Sequence, residues 1–230
     1  MANQAIAKID LKTDGFWVRP CGKDPECVPT ATWPELQDML VESARRLRIT
    51  GLEIHYLTSK WITEKFGPDA PRKYEELYGD KLLDWLPIPP KKRLLDSDLT
   101  SIEIAYRQMY TDLQKFCVLL EQAIVDHRSN PGEFGSAAWF QKMADTLKQL
   151  LCYYQGVMGA IRAMPNPPVK RDIMSNEQRM AAEHTDRLIY RDFVGMQQLW
   201  RYTPRKEDLL TALKNYPEKA PQCVQAKTKP

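Results

Sequence analysis

Apolar residues recur at three- and four-residue spacing in four long stretches, residues 34–66, 99–128, 136–164 and 175–202. That period is the one an amphipathic helix requires. In the first stretch Trp33, Leu40, Leu47, Ile54 and Trp61 stand seven residues apart, with Leu36 and Leu57 on an adjoining row. The second carries Ile102, Tyr106, Met109, Leu113, Phe116, Leu120 and Ile124, and the third Phe140, Met143, Leu147, Leu150, Tyr154, Val157 and Ile161. Leu188, Ile189, Met196, Leu199 and Trp200 form the fourth stripe. Each stripe predicts a helix with one face in a core.

Local signals bound these helices. Thr32 with Glu35, Thr100 with Glu103 and Ser175 with Gln178 have capping-box spacing, and Pro34 falls where its missing N–H costs little. Phe66-Gly67-Pro68, Ser129-Asn130-Pro131-Gly132, Pro165-Asn166-Pro167-Pro168 and Thr203-Pro204 are stops. Gly51 interrupts the first stripe and predicts a weaker middle. Gly156 and Gly159 predict close helix approach near the end of the third helix. About 33 residues at 1.5 Å each make the first helix a rod of roughly 50 Å.

The connections differ sharply. Residues 67–98 are Pro-punctuated, with room for a turn or two of helix around 73–78, and long enough to travel the length of a bundle. The second break is short and makes its flanking helices antiparallel neighbours. Residues 165–174 reach about 33–36 Å when extended, most of a crossover. A short extra helix over 205–215 and a Lys/Pro tail close the chain. This rhythm predicts an all-α, up-up-down-down four-helix bundle over residues 32–216, with a flexible segment 1–31 before it and a disordered tail 217–230 after it.

Composition changes the picture little. The 230 residues are 43% hydrophobic and 27% charged, with a net charge of +3, too weakly basic to argue for nucleic acid. No apolar run approaches the roughly 20 residues of a membrane span, so no membrane insertion is expected. The first fifteen residues lack the apolar core of a signal peptide. Export would then need a leader already removed or another route, and an intracellular protein needs neither. Five cysteines leave at least one free or paired with another chain. Cys21 and Cys27 have the spacing of a small loop. Cys117 and Cys152 lie in apolar stripes, where a small buried hydrophobe is the simpler reading, and Cys223 is in the polar tail.

Catalytic signatures are missing. His55, His127 and His184 sit on three different helices without ligand-type neighbours, so each reads as a surface or satisfied helix residue and no metal is expected. There is no phosphate-binding loop, dinucleotide fingerprint or nucleophile elbow. Glu103, Asp112, Glu121, Asp186 and Asp192 could meet in a bundle interior, yet no Glu-x-x-His pair accompanies them. Neither an enzyme nor a cofactor is expected. Arg45, Arg46 and Arg48, and the run Lys91-Lys92-Arg93, concentrate charge, as a solvated face or as a receptor-steering or glycosaminoglycan patch.

The order of features resembles a long-chain helical cytokine, closest to the interleukin-6 family branch of ciliary neurotrophic factor and the cardiotrophins. The likeness spans Trp33 to about Trp200. YRQMYTDLQKFCVLLEQAI (106–124) is similar to that branch's second helix, LKQLLCYYQGVMGAIRAMP (147–165) to its third, and LIYRDFVGMQQL (188–199) to the start of its fourth, including Gly195 before an apolar residue. The resemblance implies a secreted monomer that brings class I cytokine receptor ectodomains together through separate helix faces. It places one site on the first and third helices, where Arg45, Arg48, Lys148 and Gln155 flank the apolar stripes, with a solvated polar face as the plain alternative. It places another at the start of the fourth helix with the end of the first crossover. There the branch carries Phe-x-x-Lys, and this chain has Ile189 and Asp192. Trp85 is then the candidate aromatic anchor, or else a crossover residue packed on the bundle; Ile189 is the anchor's counterpart, or else core.

Two other readings compete. An apolipoprotein-like bundle would open its amphipathic helices around lipid or another hydrophobic ligand, against which stand six tryptophans and long connections. An intracellular helical scaffold would account for the missing leader and the poorly placed cysteines.

Overall fold

The computed structural model describes residues 14–22, 31–88, 99–129, 136–161, 163, 165–179 and 184–202. The basic run Lys91-Lys92-Arg93, the helix expected over 205–215, the tail 217–230 and Cys27 and Cys223 lie outside them. Among the described residues the structure is all-helical, without a strand. Four long helices dominate: α1 Trp33–Phe66, α3 Leu99–Ser129, α4 Ala138–Ile161 and α6 Thr185–Tyr202. Two shorter ones, α2 Ala70–Tyr78 and α5 Asn176–Arg179, sit in the long connections, with a 3-10 turn at Arg171–Ile173.

The caps explain where the helices begin. At the head of α1 the Glu35 carboxylate accepts the Thr32 backbone N–H at 2.7 Å and its hydroxyl at 2.8 Å, satisfying a donor the helix itself cannot. Ser136 Oγ accepts the Ala138 N–H at 3.2 Å at the head of α4, and Ser175 Oγ accepts the Gln178 N–H at 3.3 Å at the head of α5. Thr100, read as the head of the second helix, lies within α3, and Glu103 turns to Arg107 one turn on. The stretch read as one helix from residue 175 is described as two pieces, α5 and α6. α1 runs through Gly51 without interruption.

Packing follows the stripes. Leu40, Leu47, Ile54 and Trp61 are at most 1% exposed, and the named apolar residues of α3 and α4 are buried with them. Each such side chain contributes about 1.5–3 kcal/mol relative to an exposed one. α3 packs on α4, α1 packs on α4 and α6, and α3 also meets α6. α2 rests against α1 and α6. Close approach occurs at Gly195 of α6, where an added Cβ would stand 2.1 Å from Leu119 Cδ2 of α3. Gly156, expected to serve that purpose, faces open space.

The amino-terminal segment corrects an expectation. Residues 14–22 are not a loose leader to the bundle: Trp17 is 1% exposed and belongs to the core. Its indole Nε1–H donates to Val169 O at 2.9 Å. Gln114 of α3 holds both partners, donating to Trp17 O at 3.5 Å and accepting the Val169 N–H at 2.9 Å. Cys21 is bonded to Cys152 of α4, 131 residues away, with Cα atoms 4.9 Å apart. Cys152 is therefore half of a disulfide rather than a buried apolar thiol. Cys117 matches the sequence reading: it is buried and unbonded, and burial pushes its thiol pKa well up.

Candidate functional site

The first crossover is held to α6 by one side chain. Gln198 is fully buried; its Oε1 accepts the Leu83 N–H at 2.8 Å. Its Nε2 donates to the carbonyls of Leu83 and Leu86, both at 3.3 Å, and of Pro87 at 3.1 Å. A segment whose own prolines prevent it from forming a helix thus finds its backbone partners on a neighbouring helix. Leu83 and Leu86 go into the core, and Trp85 is left half-buried against it. Gln198→Leu is expected to cost about 1–3 kcal/mol, because the Leu83 amide would be buried without an acceptor. Chemical denaturation reads the loss, and Trp85 fluorescence is expected to shift with it.

Beside this clamp opens a cleft of about 610 Å³. Leu83, Trp85, Ile173 and Tyr190 form its apolar walls, and Asp84, Glu177, Asp186 and Arg187 contribute charge. Arg187 reaches Glu177 at 3.6 Å. Apart from Arg191 Nη2, which is ion-paired with Asp192 at 2.6 Å, the lining residues bury the Trp85 indole Nε1 and Gln178 Oε1 without a hydrogen-bond partner. Such groups cost about 1–3 kcal/mol while unmet. A cleft with apolar walls and a few unmet polar groups is suited to receive a ligand.

Arg191, on the cleft's inner side, is 2% exposed. Its guanidinium forks between two carboxylates: Nη1 donates to Asp126 Oδ2 at 2.8 Å, and Nε donates to Asp192 Oδ1 at 2.7 Å. Nη1 also reaches Gln178 O at 3.0 Å, tying α5 to α6. Gln122 donates to Asp126 Oδ1 at 2.9 Å, and His127 Nε2 donates to Asp192 Oδ2 at 3.0 Å. The His127 ring is fully buried, 4.4 Å from Phe140 and 5.5 Å from Trp61 between ring centres. Burial pushes the Asp126 carboxyl above its usual range, against the pull of Arg191. Burial also works against the Arg191 cation, but Asp192 and Asp126 outweigh it and hold its pKa above the ordinary value. The cluster fixes the start of α6 on the end of α3.

Of the receptor-contact candidates singled out from the sequence, Trp85 lines the cleft and the others do not. Ile189 is 5% exposed in the core, and Asp192 is fully buried in the ion cluster. Neither presents a side chain to a partner. Arg45, Arg48 and Lys148 are exposed as expected, whereas Gln155 is buried on α4. Arg45 is held by Glu42, through Nε at 2.5 Å and Nη2 at 2.7 Å. The acidic residues that could have met in the interior have separate partners: Asp112 accepts from Tyr202 Oη at 2.9 Å, Glu121 holds Arg171, and Glu103 holds Arg107. His55 stacks on Trp200 at 4.1 Å, and burial lowers its pKa. His184 is exposed. Tyr190 and Arg187 were passed over in the sequence, and Gln178 was read only as a capping-box residue. Tyr190 follows Ile189 directly and is half-buried against the core.

Among the described residues no helix is long and apolar enough to cross a membrane, and no group of three His, Cys, Asp or Glu could hold a metal ion. No protein-family model, curated protein or solved structure matches this chain.

Proposed function

We propose that the chain is a secreted ligand that holds class I cytokine-type receptor chains together, with α1, α3, α4 and α6 as an up-up-down-down bundle. The observation that carries this is the pairing of the long helices: α1 lies beside α4 and α6, and α3 beside the same two. With a long, a short and a second long connection, that neighbourhood supports two crossovers along a bundle. The Cys21–Cys152 bond supports an oxidising, extracellular setting over an intracellular scaffold. A charged cluster buried beside the core argues against a bundle that opens around lipid, since opening would separate Arg191 from Asp126.

In this reading the cleft at Trp85 and Tyr190 takes one receptor chain, and an exposed face of the long helices takes another. The mechanism is approximation: one rigid monomer binds two membrane receptors, and no covalent bond changes. Trp and Tyr at the edge of a cleft are the residue types that carry interface energy.

Binding to a panel of immobilised receptor ectodomains, with lipid vesicles as a control surface, tests the proposal. Saturable binding to at least one ectodomain is expected. Trp85→Ala and Tyr190→Ala are each expected to weaken one interaction about tenfold, a change of about 1.4 kcal/mol, while a second ectodomain binds as before. Binding to vesicles alone would favour the lipid carrier, and no ectodomain binding would sink the receptor reading.

A further inference from the structure

The cleft at Trp85 draws its walls from three parts of the fold. The first crossover gives Asp84 and Trp85, α5 gives Gln178, and the start of α6 gives Asp186 and Tyr190. Both rings are half-buried, so each keeps some open surface. Two unmet atoms there are of opposite kinds: the Trp85 indole Nε1–H is a donor and Gln178 Oε1 an acceptor. Neither reaches solvent, so the two side chains must turn to meet an occupant.

The charges of the lining do not cancel. Arg187 reaches Glu177 at 3.6 Å, and Arg191 is committed to Asp126 and Asp192. That leaves Asp84 and Asp186, both exposed, and neither makes an ion pair among the described residues. The first stands on the crossover and the second on the first turn of α6, so the two carboxylates belong to different walls. An apolar or acidic occupant would strip water from both and give nothing back. A cation would meet them, and the open faces of Trp85 and Tyr190 add the attraction of an aromatic ring for positive charge.

We propose that an extended segment of one receptor chain enters this cleft through an arginine side chain, placed between Asp84 and Asp186. This rests on the receptor reading above and adds the chemistry of the partner. Arginine suits the site better than lysine: its guanidinium is planar, stacks on aromatic faces, forks onto carboxylates and is weakly hydrated. With five donors it also has an N–H to spare for Gln178 Oε1. The peptide backbone beside it supplies the carbonyl that Trp85 Nε1–H lacks, which a free amine does not. A volume of about 610 Å³ holds such a side chain together with its neighbours. Asp84 and Asp186 steer the approach, and Trp85 and Tyr190 supply the buried contact.

The test uses the full chain on the same ectodomain panel. Asp84→Asn with Asp186→Asn keeps the side-chain shapes and removes both charges at exposed sites. The fold is expected to survive, with a small loss at the head of α6; a thermal melt and unchanged binding of the second ectodomain verify that. Affinity for the ectodomain that needs Trp85 is expected to fall at least about tenfold. Its dependence on salt between about 50 and 300 mM is expected to flatten. Unchanged affinity and salt dependence would overturn the arginine and leave the receptor reading standing. A second measurement needs no ectodomain. The Trp85 indole N–H resonance, assigned by its loss in Trp85→Phe, is followed while a blocked tripeptide with arginine between two glycines is added to about millimolar concentration. That peptide is expected to move the resonance in the wild type and not in the double variant. The same peptide with citrulline, neutral and of nearly the same shape, is expected to leave it in place. Equal shifts from both peptides, or none from either, would overturn the proposal. A wild type that responds to the arginine peptide but binds no ectodomain would overturn the receptor chain as occupant and keep the cationic site. Dimers in sedimentation that the double variant dissolves would assign the cleft to a second copy and count against the proposal.

Discussion

Arg191→Met is expected to destabilise the protein by about 3–5 kcal/mol, because it removes the one cation between two buried carboxylates. Met fills much of the volume but offers no donor. Asp126 and Asp192 would keep their hydrogen bonds to Gln122 and His127 but lose the guanidinium between them, and the link from Nη1 to Gln178 O would be lost. Arg191→Lys is expected to rescue little, since a single ammonium cannot reproduce a fork onto two carboxylates.

The pH dependence separates lost charge pairing from lost packing. In the wild type, burial already raises the Asp126 carboxyl above its usual range. The folded state therefore holds that proton more tightly than the unfolded chain does. The resulting contribution is present in acid and lost as pH rises from the ordinary carboxylate value of about 3.9 through the raised one. Removing Arg191 takes away the strongest opposing pull, so the window widens in the variant. Its deficit is expected to be small near pH 4 and to grow toward pH 7, with Asp126→Asn and Asp192→Asn added to Arg191→Met recovering part of it. Denaturant midpoints across pH measure this. A deficit below about 1 kcal/mol at pH 7, or one that does not vary with pH, would falsify the account.

What was legible in the sequence depends on the range of the signal. Leu40, Leu47, Ile54 and Trp61 repeat every seven residues, and their burial follows from the repeat alone. Thr32 and Glu35 meet within a single turn, so their spacing was sufficient. Asp192 and Gln198 share neither advantage. Both are polar residues on a helix, which local pattern assigns outward, yet both are fully buried. Their partners lie far away in sequence: His127 is 65 residues from Asp192, and Leu83 is 115 from Gln198. A polar group turns inward when the fold delivers a partner, and no local window contains that partner. The same reasoning covers Gln155, set on a polar row and found buried, and Ile189, which falls on the apolar stripe and stays there. Trp85 was legible as an anchor candidate because a Trp in a Pro-rich connection has no stripe to join. Its seat depended on Gln198 and was not.

Loss of the Cys21–Cys152 bond is expected to cost about 2–5 kcal/mol, as the bond closes a long loop and restricts the unfolded chain. Trp17→Ala is expected to cost about 3–5 kcal/mol, the usual range for truncating a buried aromatic residue. These two losses should not add. Trp17 and Cys21 are four residues apart and anchor the same short segment to different helices, Trp17 beside Gln114 of α3 and Cys21 on α4. Once either anchor is gone the segment is held at one point, and part of what the other contributes is already lost. A cycle of Cys21→Ser with Cys152→Ser, Trp17→Ala, and all three together is expected to fall short of the sum by about 1–3 kcal/mol. Full additivity would mean that residues 14–22 do not act as a unit. The cycle also reaches the second crossover, because Gln114 holds Trp17 O and the Val169 N–H at once and Trp17 itself donates to Val169 O. Detaching Trp17 leaves the Val169 carbonyl without that donor. Hydrogen exchange at residues 169–174 is therefore expected to quicken in Trp17→Ala more than in the cysteine variant, although the two lose similar stability.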